Sequence, residues 1–221
     1  MPKLKEQILL SAKQLFQEKG YEQVSLRAIA EHAGTTIGNL TYYYPQKESL
    51  LVAMQLSTQG EALTHFGAMP STAEGILHET ILMCCLTEQI CTSSSFYFCN
   101  ILQLCRDIPS LKEHVEETRE TVFNLYLERF RALRDKGFLR SDLPDTAYKS
   151  LTCSILLGVS SWLNIKKIFK DTPSQFSITQ VQLDMLYPFL TEKGRAVYER
   201  ILADKDALQR EVDERMQKIL L

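Results

Sequence analysis

The stretch VSLRAIAEHAGTTIGNLTYYYPQKESLL, residues 24–51, decides how the chain is read. Ser25 is a residue type that caps helices, and Leu26, Ile29, Ala30 and Ala33 follow it at helical spacing. Gly34 supplies the backbone freedom of a tight turn. The spacing therefore predicts a short helix, the turn Ala33-Gly34-Thr35, and a second short helix from about Thr36 to just before Pro45. After Pro45, the residues Leu50, Leu51, Met54 and Leu56 open a longer helix toward residue 66. Upstream, Ile8, Ala12, Leu15 and Phe16 form one stripe of a first helix that Gly20 ends. Two short helices joined across a glycine turn can lay the second in the DNA major groove while the first crosses the backbone.

Beyond Pro70 the helical pattern continues over 71–92, 95–106, 109–136, 145–170, 176–190 and 191–219. Breaks are expected at Pro70-Ser71, Ile108-Pro109-Ser110, Lys136-Gly137, Leu143-Pro144-Asp145 and Thr172-Pro173-Ser174. Pro188 predicts a kink or break of its own. No convincing strand alternation and no repeat interrupts this pattern. The reading is an all-α protein with an N-terminal three-helix helix-turn-helix domain (1–47) and a larger helical bundle (48–221).

Composition narrows the classes. The 221 residues are 45% hydrophobic and 24% charged, which excludes collagen-like, low-complexity and largely disordered chains. With 25 basic and 27 acidic side chains the net charge is −2, so any nucleic-acid partner must be argued from motif rather than charge. The longest uncharged stretch, Gln89 to Cys105, is 17 residues and carries Ser, Gln, Thr and Asn. A bilayer span needs about 20 apolar residues, so no membrane association is expected. The opening Met1-Pro2-Lys3-Leu4-Lys5-Glu6 does not read as a signal peptide, which leads us to expect a cytoplasmic protein with reduced thiols at its six cysteines. No Cys-x-x-Cys pair, phosphate loop or nucleophile–base motif is present, and neither metal, cofactor nor enzymatic activity is expected.

A longer pattern carries more. Ile8-x3-Ala12-x2-Leu15-Phe16-x3-Gly20-Tyr21, Val24-Ser25-x3-Ile29-Ala30-x2-Ala33-Gly34, and Gly38-Asn39-Leu40-Thr41-Tyr42-Tyr43-Tyr44-Pro45-x-Lys47-Glu48-x-Leu50-Leu51 run without a gap. Over about residues 5–52 this resembles the N-terminal domain of TetR-family transcriptional repressors. The resemblance implies a homodimer on double-stranded DNA with a pseudo-palindromic operator, each head presenting its third helix to the major groove. It also implies a helical body that binds a small-molecule effector, with release from DNA as the response. Arg27, Ile37, Gly38 and Thr41 fall where members of the family reach base edges. Asn39, Tyr42, Tyr43 and Lys47 fall where they touch phosphates, as does the helix start capped by Ser25. Thr35 and Thr36 of the turn belong to the same interface, and Ala33 and Leu40 match packing positions. Thr41 departs from the family, which most often has tyrosine there. The residues agree in part: with Leu40 and Tyr44 inward at i,i+4, Gly38, Thr41 and Tyr42 face outward and Ile37 lies on the flank.

In the body, Met83, Phe96, Phe123 and Trp162, with Cys99 and His65, are candidates for a mostly apolar effector pocket. Leu151, Ile155, Leu156, Val159 and Leu163, followed by Val181, Leu183, Leu186 and Leu190, are candidates for the dimer face. Two other readings stay open. One is a helical protein-interaction adaptor. The other is a thiol-responsive regulator that uses the Cys84–Cys105 segment, in which Cys84 and Cys91 share a helix face.

Overall fold

The computed structural model describes residues 3–66, 68–168 and 177–220, the side chains of 58–65, 160, 167–168 and 219–220 excepted. Eleven α-helices are described: α1 Leu4–Lys19, α2 Leu26–His32, α3 Ile37–Tyr43, α4 Lys47–Phe66, α5 Ala73–Ser93, α6 Ser95–Asp107, α7 Pro109–Asp135, α8 Asp145–Ile168, α9 Ile178–Leu186, α10 Glu192–Ala203 and α11 Lys205–Leu220. Among the described residues there is no strand, only one antiparallel bridge between Leu139 and Leu190. The chain divides into two compact units, Met1–Gly60 with Ser94–Thr118, and Glu61–Ser93 with Arg119–Leu221.

In the first unit, α2 and α3 have seven residues each, too short to persist alone. Caps and core hold them. The Ser25 hydroxyl accepts from Ala28 N–H at 3.2 Å, and the Thr36 hydroxyl accepts from Asn39 N–H at 3.2 Å. Between the helices Gly34 takes φ +65°, a conformation a side chain would strain. That lets Thr35 N–H reach back to the Ala30 carbonyl at 2.9 Å. Ile29, Ala30, Leu40 and Tyr44 bury against Ile8, Ala12, Leu15 and Phe16 of α1. The same core takes Phe96, Tyr97, Leu104, Ile108 and Leu111 from α6 and the start of α7. Gln17 fastens α6: its amide donates to the Ser95 hydroxyl at 2.7 Å and accepts from Phe96 N–H at 3.2 Å.

In the second unit, α5 is the central helix and buries Ile76, Leu77, Ile81, Leu82, Met83, Cys84 and Leu86. Glu88 of α5 accepts from Thr179 N–H at 3.1 Å and from the Ser177 hydroxyl, which fixes the start of α9. The α7–α8 turn is tied to the segment before α10 by Arg140 N–H to Phe189 O (2.9 Å) and Thr191 N–H to Phe138 O (3.0 Å).

Two expectations are corrected. The stretch 191–219 is not one helix. It breaks at Asp204, whose backbone leaves the helical region and whose carboxylate caps α11 through Ala207 N–H at 3.0 Å. The candidate dimer stripe is largely internal, since Leu151, Ile155, Leu163, Leu183, Leu186 and Leu190 are buried within the chain's own fold. At Pro188 α9 has given way to a single 3₁₀ turn, Tyr187–Phe189, as the proline demands. The break at Thr172-Pro173-Ser174 lies outside the described residues.

Candidate nucleic-acid interface

The third helix has one inward and one outward face. Leu40 is fully buried and Tyr44 nearly so, its hydroxyl donating to the Lys5 carbonyl at 3.4 Å. Ile37, Gly38, Asn39, Tyr42 and Tyr43 point out. Tyr42 is 81% exposed and Ile37 41%, a large apolar display on so short a helix. The Tyr42 and Tyr43 rings meet edge to face at 5.1 Å. No charged side chain stands on α3, so its outer surface offers hydrogen bonds and methyl groups but no ion pairs.

Other groups are less free than their residue types suggest. The Thr41 hydroxyl donates back to its own helix, to Ile37 O at 3.0 Å or Gly38 O at 3.2 Å, which leaves its methyl for outside contact. The Asn39 amide donates to Thr35 Oγ1 at 3.2 Å, so that contact orients both side chains. Thr36 is exposed and occupied as the α3 cap, and Ser25 in the same way caps α2. Arg27 is exposed in the first turn of α2. Lys47 opens α4 half-buried, with Nζ donating to the Tyr21 carbonyl at 2.9 Å and lying 4.1 Å from the Tyr21 ring centre. This attachment was not visible in sequence, because Tyr21 and Lys47 are 26 positions apart. The outer face of α3 is thus uncharged, and the cations Arg27 and Lys47 stand on the neighbouring helices α2 and α4.

The candidate pocket residues are divided between the two units. Phe96 and Cys99 lie on α6 in the first unit, where Phe96 packs on Phe16 at 5.7 Å. Met83 is buried in the core of the second unit and Phe123 is half-buried against it. Trp162 of α8 is buried, with Lys166 Nζ 4.8 Å from its ring. The side chain of His65 lies outside the described residues. In the first unit an open groove of about 350 Å³ is lined by Tyr43, Gln46, Val52, Ala53, Leu56 and Ser110, among others. Burial pushes the Cys84 thiol up to about 12 and the Cys85 thiol to about 11. Thiols this far above neutrality carry almost no thiolate, the form that redox exchange requires.

Comparison with known proteins places this geometry. The family profile for bacterial regulatory proteins of the tetR family matches residues 8–54, and that for bacterial transcriptional repressors matches 94–198. The chain belongs to the TetR family of helix-turn-helix transcriptional regulators, which is not an enzyme class. Among its relatives is the HTH-type transcriptional regulator HbdR of Aromatoleum sp. (strain CIB), 27% identical over 95% of this chain and 93% of HbdR. A TetR-family transcriptional regulator from Marinobacter aquaeolei VT8 shares the fold at TM-score 0.72 and 21% identity, over 94% of this chain and 99% of that one. SmeT, known in a complex with triclosan, shares it at TM-score 0.59 and 18% identity, over 86% and 92%.

Proposed function

We propose that this chain is a ligand-responsive repressor: a homodimer that binds a pseudo-palindromic operator and is released by a small, mostly apolar effector. Residues 1–47 read DNA, and 48–221 carry dimerisation and effector binding. Among the described residues no helix is long and apolar enough to cross a membrane, and the site of action is the cytoplasm, where the DNA is. The observation that carries the reading is the outer face of α3, uncharged and exposed on a capped helix, between the cations Arg27 and Lys47. In this reading Ile37, Gly38 and the Thr41 methyl meet base edges, while Asn39, Tyr42, Tyr43 and Lys47 meet phosphates. The triclosan-bound state of SmeT supports an apolar effector.

Selection of binding sequences from a random duplex pool tests it. A two-fold symmetric consensus is expected, with half-sites one helical turn apart (~34–36 Å) or a multiple of that. Affinity should fall steeply with salt. Recovery of no sequence preference would sink the repressor reading.

Two substitutions separate the contact classes. Lys47→Ala should weaken all duplexes alike and reduce the salt slope by about 1 for each phosphate no longer neutralised. It should also cost the head about 1 kcal/mol, because the hold of the ammonium on the Tyr21 ring and carbonyl goes with it. Competition titrations at several salt concentrations read the first effect, and denaturant titration reads the second. Arg27→Ala, by contrast, should cost ~1–3 kcal/mol at particular base pairs, and Thr41→Ser should relax preference at a thymine. A uniform loss over all sequences would place these residues on phosphate.

The dimer face follows from α8. From Ser150 to Ile165 this helix has no charged residue, yet Ser150, Cys153, Ser154, Leu157, Ser161 and Ile165 are exposed along one side. Leu157 and Ile165 are each more than half exposed. A solvent-facing stripe without charge fits a second copy of itself across a two-fold axis. Leu157→Asp should shift sedimentation from dimer to monomer at micromolar concentration, with helicity retained; an unchanged dimer would exclude this stripe.

A further inference from the structure

Apart from aromatic residues and cysteines, the polar side chains buried in the second unit, among the described residues, are Thr80, Arg129, Thr152 and Gln182. The fold answers all but the last. The Thr80 hydroxyl donates to the Ile76 carbonyl at 2.7 Å and the Thr152 hydroxyl to the Tyr148 carbonyl at 2.9 Å. The Arg129 guanidinium donates to the carbonyls of Leu125 at 3.2 Å, of Ala68 at 3.4 Å, and of Phe66. Gln182 of α9 differs. It is 1% exposed, and neither its Oε1 nor its Nε2 has a hydrogen-bond partner among the described residues. Its position in the fold is known from both sides, since α9 packs against α5 and α8. Glu88 of α5 meets Ser177 and Thr179, and Thr179 Oγ1 donates to the Cys84 carbonyl at 3.3 Å, so α9 runs antiparallel to α5. One turn further on, Gln182 and Leu183 come level with Thr80 and Ile81. Toward α8, Ile178, one turn before Gln182, lies over Gly158. Ile81, Leu151, Ile155, Leu183 and Leu186 of these three helices form one apolar core.

An amide carries an acceptor oxygen and a donor nitrogen side by side, and burying it unpaired is costly. A methionine or leucine would fill the same place without that cost. The amide therefore adds nothing to the stability of this core. What it adds is a matched acceptor and donor in an apolar interior, the means by which small-molecule sites fix the orientation of a ligand. We propose that Gln182 is the polar anchor of a ligand site between α5, α8 and α9, and that its ligand is a small apolar molecule with an uncharged cis-amide edge, as in a primary carboxamide or a lactam. Such an edge presents the complementary pair. The ligand N–H donates to Oε1, and Nε2–H donates to the ligand carbonyl, in two parallel hydrogen bonds. An ionised carboxylate offers acceptors only, so it would leave Oε1 unmet and bury a charge. An ester has no donor at all. That this ligand is the effector rests on the repressor reading; the site itself does not.

The test uses the full-length protein and matched probes: benzamide, cinnamamide and hexanamide, each beside the methyl ester of the same acid, at low millimolar concentration. Binding is read from the melting temperature and from the Gln182 side-chain NH2 signal in nitrogen-resolved NMR spectra, a signal identified by its loss in Gln182→Met. At least one amide should bind about tenfold or more tightly than its ester, the worth of one to two hydrogen bonds, and should move that signal. In Gln182→Met the same amide and ester should bind within about twofold of each other, because the apolar contacts remain and the anchor is gone. Amides that bind no better than their esters, or an amide preference that survives Gln182→Met, would overturn the site and leave Gln182 a packing residue. If Gln182→Met does not fold, Gln182→Leu takes its place, and the amide-to-ester ratio in the parent decides if neither folds. Release of the duplex recovered by the selection above, caused by the preferred amide in the parent but not in Gln182→Met, would support the effector role. Binding without release, or recovery of no duplex, would overturn that role alone and leave the site standing.

Discussion

Gly194→Ala is expected to be the most damaging single-methyl change in the chain. A Cβ at this position would stand 2.2 Å from the Phe138 carbonyl oxygen and 3.1 Å from its carbon, with Leu190 Cδ2 at 3.2 Å. The obstacle is backbone, so no rotamer change relieves it. Nor can the carbonyl retreat freely, because it accepts from Thr191 N–H at 3.0 Å and lies 3.2 Å from the Thr191 hydroxyl. Either α10 lifts from the α7–α8 turn or these bonds break. Overpacking combined with broken buried bonds should cost about 3 kcal/mol or more. For a chain of this size, the melting temperature should fall by roughly 6–12 °C. Gly158→Ala is the control. Its Cβ meets only the Ile178 Cδ1 atom, at 3.3 Å, and that is a flexible side-chain end. Denaturant titration of both variants checks the contrast, and equal stability in the two would show that α10 is not seated as described.

Tyr42→Glu should produce the largest loss of DNA binding. At 81% exposure the side chain supports little of the fold, so stability should stay within about 0.5 kcal/mol of the parent. A carboxylate on the outer face of α3 would instead confront phosphates on both half-sites of a dimer. Like charges brought together at an interface cost several kcal/mol, so affinity should fall at least about a hundredfold for specific and non-specific duplexes alike. Tyr42→Phe should lose much less, because only the phenol hydroxyl goes. Unchanged binding by Tyr42→Glu would mean that α3 does not face DNA.

What could be read beforehand was whatever depends on near neighbours in the chain. Ser25 and Thr36 cap through contacts three residues away, and Gly20 and Pro45 punctuate locally, so the first four helices were legible. Leu40 and Tyr44, one turn apart, also gave the inward face of α3. The break at Asp204 was hidden because Val197 and Ile201 before it continue in register with Leu208 and Val212 after it. Periodicity also says that a stripe is covered but not by what, which is why Leu151 and Ile155 pointed to a partner when their cover is their own core. The candidate pocket residues were grouped from sequence, which does not show that past Ser94 the chain returns to the first unit: Phe96 and Cys99 belong to one unit, Met83 and Phe123 to the other.

That return has a consequence for synthesis. The α1–α4 core is sealed by Phe96, Tyr97, Leu104, Ile108 and Leu111, all encoded after α5. While the ribosome is still translating α5, the Phe16 surface that Phe96 will cover remains open to water and to chaperones. The part of the chain that begins first is thus not finished first. A nascent chain arrested before residue 94 should expose that apolar surface, and one released past residue 118 should close it.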